Sequence, residues 1–173
     1  NQIRIWKLFI KRYAKSRGTD AHIVEAIVRL GDLYKTQGNW KTAKKYYTQA
    51  LKEFAARGLR PGPNSPVAEL AAKAQFELLQ EQFRVYEKIK FQNGMKLQKV
   101  VKLLVKKKNL LQQMASLEPG VGLFTKVFPY NAYNWTIAAY FQTGLALQQF
   151  ADFMYAVAGS DGMKDEQINQ IED

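Results

Sequence analysis

Apolar positions recur at three- and four-residue intervals along most of the chain, the spacing that gathers side chains on one face of an α-helix. From Gln2 to Lys15, Ile3, Ile5, Trp6, Phe9, Ile10 and Tyr13 keep that interval while Arg4, Lys7, Lys11 and Arg12 fill much of the rest, which predicts an amphipathic helix. The turn SRGTD follows, with Gly18 to end this helix and Thr19 or Asp20 to cap the next. Within Ile27 to Ala50 the pattern predicts two helices joined at Gly38 and Asn39. Gly38 can take the positive φ that ends the first, and the Asn39 side chain can accept from the free N–H groups that open the second. That second helix should run to Ala56 before Gly58 stops it.

The prolines of RPGPNSP cannot continue a helix, so an insertion is expected there, with Ser65 capping and Pro66 opening a long helix through Lys90. A second long helix is expected from Met95 to Leu117, with Leu97, Val100, Val101, Leu104, Leu111 and Met114 as its inner seam. Outside that seam the reading places Lys96, Lys99, Lys102, Lys106, Lys107 and Lys108, and no acid occurs between Glu87 and Glu118. The run from Glu118 to Gly122 ends the helix. A short segment through Phe128 then leads to Pro129, Asn131 or Asn134 can cap, and a third long helix follows. In that helix Ala138, Ala139, Gly144 and Ala146 are small, while Trp135, Ile137, Phe141, Leu145, Phe150, Phe153 and Met154 are large, so helices can pack closely on it; its aromatics from Trp135 to Val157 are open to three roles, as core, as a subunit interface or as a surface covered by further sequence.

The expected fold class is therefore all-α, an array of antiparallel helix hairpins. The spacing inside the first hairpin is more specific than its periodicity. Ile27, Leu30, Gly31 and Tyr34 occupy the places of W-x₂-L-G-x₂-Y, and Ala43 with Tyr47 reproduces A-x₃-F. Gly31 and Ala43 are small where two helices must approach, and Leu30, Tyr34 and Tyr47 fill the seam around them. On these residues the chain resembles the tetratricopeptide repeat family over Val24 to Arg57, departing from it at Ile27, which replaces the usual Trp, and at Ala55, which stands where the closing Pro would be. The resemblance implies a short α-solenoid: a partial preceding unit at 1–17, one unit at 24–57, a long divergent pair at 66–117, a closing helix at 131–157 and an acidic tail at 158–173. The closing helix is also similar to divergent helices in large tetratricopeptide proteins of the bacterial envelope, which implies a periplasmic or cell-envelope assembly ahead of a cytoplasmic one.

Composition narrows the function. With 173 residues, 47% hydrophobic and 24% charged, the chain suits one folded domain. It begins at Asn1 rather than Met, from which a trimmed or processed fragment is expected. No run is apolar for the roughly 18 residues a membrane helix needs. Absence of cysteine removes disulfides and thiolate chemistry from this sequence. The single histidine, His22, has no second His or Cys to build a zinc site or a nucleophile–base pair. Glu77 and Glu81 are four apart and read as exposed helical acids, and the PGVG of Pro119 to Gly122 lacks the Lys-Ser/Thr ending of a phosphate loop and reads as a helix stop. No catalytic, cofactor or metal residues are assigned, and the chain is expected not to be an enzyme.

Charge points to the partner. Of the net +11, residues 1–60 hold 14 basic against 4 acidic residues, residues 61–117 hold 10 against 4, and residues 118–173 hold 2 against 7. The front of the chain should attract acidic partners or the tail. The resemblance implies that the first helix of the unit lines a concave groove, which carries over to Glu25, Val28, Asp32, Lys35 and Thr36; a carboxylate clamp is not expected, since Val28 and Asp32 stand where Lys and Asn would be needed. Lys99, Lys102 and Lys106 share one face of the lysine helix. These eight are the candidate partner-binding residues, for a protein that is acidic or presents a peptide or helix. The alternative is electrostatic binding of nucleic acid or anionic lipid through helix 95–117, although no aromatic interleaves between Phe91 and Phe124 to stack on bases.

Overall fold

The computed structural model describes residues 1–16, 18–63 and 65–159, so the acidic tail lies outside the described residues from position 160 onward. Among them the fold is all-α. Six α-helices, α1 (Gln2–Tyr13), α2 (Asp20–Thr36), α3 (Trp40–Ala56), α4 (Pro66–Glu87), α5 (Leu97–Ala115) and α6 (Tyr133–Ala158), are joined by loops and by a 3₁₀ segment, Phe124–Tyr130, before α6. No helix among the described residues is long and apolar enough to cross a membrane.

Local chemistry sets most boundaries where the sequence places them. Gly38 has φ +74°, and the Asn39 side chain accepts from the Thr42 N–H at 3.1 Å. Ser65 accepts from the Ala68 N–H, with Pro66 at the first turn of α4. Two expected caps are replaced. Thr19 holds the cap position of α2, but its hydroxyl turns backwards and donates to the carbonyls of Tyr13 and Ser16, so it ties off the end of α1 instead of capping α2, and Asp20 pairs with Arg57. Before α6 neither Asn131 nor Asn134 caps: Asn131 takes a left-handed conformation that turns the chain, and Ala132 holds the cap position. α4 and α5 stop short of Lys90 and Leu117, where their last expected residues belong to the connecting turns.

Two halves share one helix. α1 packs on α2, α2 on α3, and α4 lies against both α2 and α3; beyond them the 3₁₀ segment and α6 pack on α4, and α5 packs on α6. The first core is built on Ile23, Val24, Ile27, Val28, Ala43, Tyr47, Ala50 and Phe54, against Ala68, Ala71 and Ala74 of α4. The second gathers Leu79, Phe83 and Tyr86 of α4 with Met114, Phe124, Val127, Ala139 and Ala146. A third, smaller cluster joins Ile89, Val100, Leu104, Phe153 and Val157 at the far end. Arg57 ties the front together, pairing with Glu53 and Asp20 and donating to the Ala14 carbonyl.

The closest approach of α2 to α3 rests on Gly31. A Cβ added there would lie 2.6 Å from a carbon of the Tyr47 ring. That ring cannot swing aside, because it is fully buried and its hydroxyl donates to Asp32 Oδ1 at 2.9 Å. Burial, with the Asp32 carboxylate beside it, raises the Tyr47 pKa far above the usual phenol range, so the hydroxyl stays a donor. Gly31→Ala is therefore expected to destabilise the protein: overpacking of about 1–3 kcal/mol outweighs the roughly 1 kcal/mol that alanine adds to helix propensity. Urea unfolding measures the balance, and a midpoint at or above that of wild type would show that the seam has slack.

Candidate partner-binding surface

α4 ends without a glycine, and a lysine from another helix completes it. Lys107 of α5 is only 2% exposed; its Nζ donates to the carbonyl of Ile89 at 3.0 Å, reaches the carbonyl of Tyr86 at 3.4 Å, and sits 3.9 Å from the centre of the Tyr86 ring. A cation at this point meets the orphan carbonyls and the negative end of the helix dipole. Burial pushes the Lys107 pKa down, Glu87 and Asp152 oppose that, and Lys90 adds to it. The expectation that Lys107 lies on the solvent face is thus corrected. Val101, assigned to the seam, is 39% exposed, since it stands about 100° around the helix from the buried Val100.

With Lys107 turned inward, two of the remaining lysines of α5, Lys99 and Lys106, line a groove. The connection after α4 and the outer side of α5 enclose a cleft of about 500 Å³ lined by Val85, Lys88, Ile89, Lys90, Gln92, Met95, Lys99, Leu103 and Lys106. Four apolar side chains, four lysines and Gln92 line it, and no acid does. Lys99 and Lys106 of the candidate set belong to this groove; Lys102 is exposed on the same helix and does not line it. A neighbouring cavity of about 630 Å³ lies on the other side of Ile89, between Lys107, Phe91, Phe153 and Asp152.

The candidates on α2 have partners inside the chain. Val28 is fully buried in the first core and presents no surface. Asp32 accepts from Tyr47 and pairs with Lys73 of α4 at 2.6 Å, while Lys35 donates to both carboxylate oxygens of Glu77 at 2.7 Å. Glu25 is half-buried and pairs with Arg29, and exposed His22 lies 3.8 Å from the same carboxylate. Thr36 bonds back to the Asp32 carbonyl. α4 therefore lies along this face of α2. Glu77, read as an exposed acid, is 8% exposed because of that packing, and Glu81 pairs with Lys44. No group of acids and histidines able to hold a metal ion occurs among the described residues.

Sequence reasoning missed Lys88, Lys90 and Val85 as groove residues because they lie outside α5, on and just beyond the end of α4. It also missed Lys107, although a signal was there: Val100, Leu104, Lys107, Leu111 and Met114 keep the 4-3-4-3 spacing of a single seam. No protein-family model matches the chain, and neither a curated protein nor a solved structure matches it.

Proposed function

We propose that the chain is a non-enzymatic scaffold with tetratricopeptide-like stacking that binds an acidic, amphipathic segment of a protein partner. The observation that carries this reading is the groove beside α5, lined by four apolar side chains and four lysines and by no acid. A helix or strand with carboxylates flanking a few apolar side chains would bury the latter on Val85, Ile89, Met95 and Leu103 and set the former among Lys88, Lys90, Lys99 and Lys106. Nucleic acid would use the cations but leave the apolar side chains uncovered, and the groove lines no aromatic side chain for a base to stack on. The stacking itself is supported by the signature spacing of Ile27 to Tyr47, by Gly31 seated against Tyr47, and by α1 and α4 flanking the α2–α3 hairpin on successive sides.

The test uses a labelled peptide with glutamates around three leucines, a glutamate-only peptide, a single-stranded oligonucleotide and phosphatidylserine vesicles, each titrated with the 173-residue chain at 50 and 300 mM salt. Binding is expected to favour the amphipathic peptide at both salts, and Lys99→Glu with Lys106→Glu should weaken it at least about 10-fold through like-charge contact. Stronger binding of the oligonucleotide or vesicles, collapsing at the higher salt, would overturn the reading in favour of phosphate recognition. Asp32 is unsuited as a probe of this binding, because its substitution frees Lys73 and Tyr47 and perturbs packing first.

A further inference from the structure

α6 is apolar on two opposite sides. One side packs inward through Ala139, Ala146, Phe153 and Val157. The other exposes Tyr133 (75%), Ile137, Tyr140, Phe141 (68%), Leu147 and Tyr155 (78%), with Gly144 and Ala151 also open to solvent between them. At 100° per residue these outward positions fall within one stripe along the helix. A helix apolar all round is ordinarily buried. Six such side chains, three of them two thirds or more exposed and three just under half, at areas of roughly 150–250 Å² each when aromatic, offer on the order of 700 Å², more than a monomer's surface ordinarily leaves in one patch and close to the about 800 Å² each partner gives a stable interface.

We infer that this stripe is the contact between two copies of the chain, paired antiparallel about a two-fold axis near Gly144. Two observations choose the occupant. The stripe positions carry no charge in a chain of net charge +11, and the one charged residue of α6, Asp152, lines the cavity beside Lys107, so the stripe offers nothing to select an oppositely charged partner and is where like-charged copies repel least. The stripe can also pair with itself. Reversal about Gly144 sets Ile137 against the small Ala151, Phe141 against Leu147, Tyr133 against Tyr155 and Tyr140 against Gln148. Gly144 then meets its own copy, where the absent side chain lets the helices approach.

The contact is separate from the lysine groove, so loss of pairing should leave peptide binding intact. Light scattering after size exclusion should give twice the 19.8 kDa chain mass at tens of micromolar. Phe141→Glu, which faces apolar Leu147 and adds a buried charge to each copy, should weaken pairing at least about 100-fold while circular dichroism stays helical. Because the chain has no cysteine, single substitutions report geometry directly. Gly144→Cys should form a disulfide-linked dimer under mild oxidation, Tyr133→Cys alone should not, and Tyr133→Cys combined with Tyr155→Cys should. A monomer at every concentration, a dimer indifferent to Phe141→Glu, a monomer that co-sediments with lipid vesicles, or Tyr133→Cys linking as readily as Gly144→Cys would overturn the inference.

Discussion

Gly122→Ala is expected to be among the most damaging small substitutions in the protein. Gly122 is buried where the chain leaves α5, and a Cβ there would overlap the backbone carbonyl of Ser116, with the Thr125 methyl 3.1 Å away. Bonds on both sides of Gly122 hold the turn in place. Leu123 N–H donates to the Gln113 carbonyl at 2.7 Å, which satisfies one of the last carbonyls of α5, and the Thr125 hydroxyl donates to the Gly122 carbonyl at 2.7 Å. Overpacking against fixed backbone lies at the upper end of its range, about 3 kcal/mol or more, which for a chain of this size lowers Tm by roughly 6–12 °C. Gly120→Ala is the control. Gly120 has φ +83° and open space around it, so alanine meets only the left-handed backbone penalty of about 1–2 kcal/mol. If thermal unfolding shows equal losses for the two variants, the close approach at Gly122 is not what holds this turn.

Lys107→Met is expected to lower stability by about 1–3 kcal/mol at neutral pH, the cost of leaving a buried carbonyl without its donor. Methionine fills the volume of the lysine stem, so the loss reports the ammonium and its bonds to Ile89 and Tyr86 rather than a cavity. The pH dependence carries a definite sign. The folded pKa of Lys107 is lowered, so in the window between that value and about 10.4 the unfolded chain binds more protons than the folded one. Stability contributed by Lys107 therefore rises with pH through that window, as the penalty of burying its charge is relieved while the neutral amine still donates. Tyr47 and Tyr86, both raised above the ordinary phenol value by burial, oppose this near the top of the window in both proteins and cancel in the difference. Urea titrations at pH 7 and 9.5 should show the gap between wild type and Lys107→Met widening. A gap that narrows would mean that the charged form of Lys107 is favoured where it sits.

The front of the molecule was legible because its chemistry is local. Gly38 and Asn39 make a helix junction with their own backbone and side chain, and Gly31, Ala43 and Tyr47 meet across a single hairpin. The back was less so, because its determinants come from distant parts of the chain. Lys107 looks like its neighbours Lys106 and Lys108 until the carbonyls at the end of α4 are brought to it, and Glu77 looks exposed until Lys35 of α2 arrives 42 positions away in sequence. At α6 residue type alone did not separate the large side chains that pack inward, such as Phe153, from Ile137 and Phe141, which face solvent. Half of the lysine surface could be read, as Lys99 and Lys106. The groove around them could not, since its other wall belongs to a different helix.

α4 contributes alanines to the first core and large aromatics to the second, in one uninterrupted run of 22 residues. Repeat arrays whose units touch only their neighbours can melt piecemeal from either end. A helix that serves as the inner wall of both halves removes that freedom, because its N-terminal turns cannot be released without loosening the seat of Phe83 and Tyr86. The described part of the chain is thereby expected to unfold as a single cooperative unit, with the slowest amide exchange along α4. The rod that ends at the groove also carries Lys73 and Glu77, the α4 partners of Asp32 and Lys35, so the groove and the front hairpin are anchored to one helix.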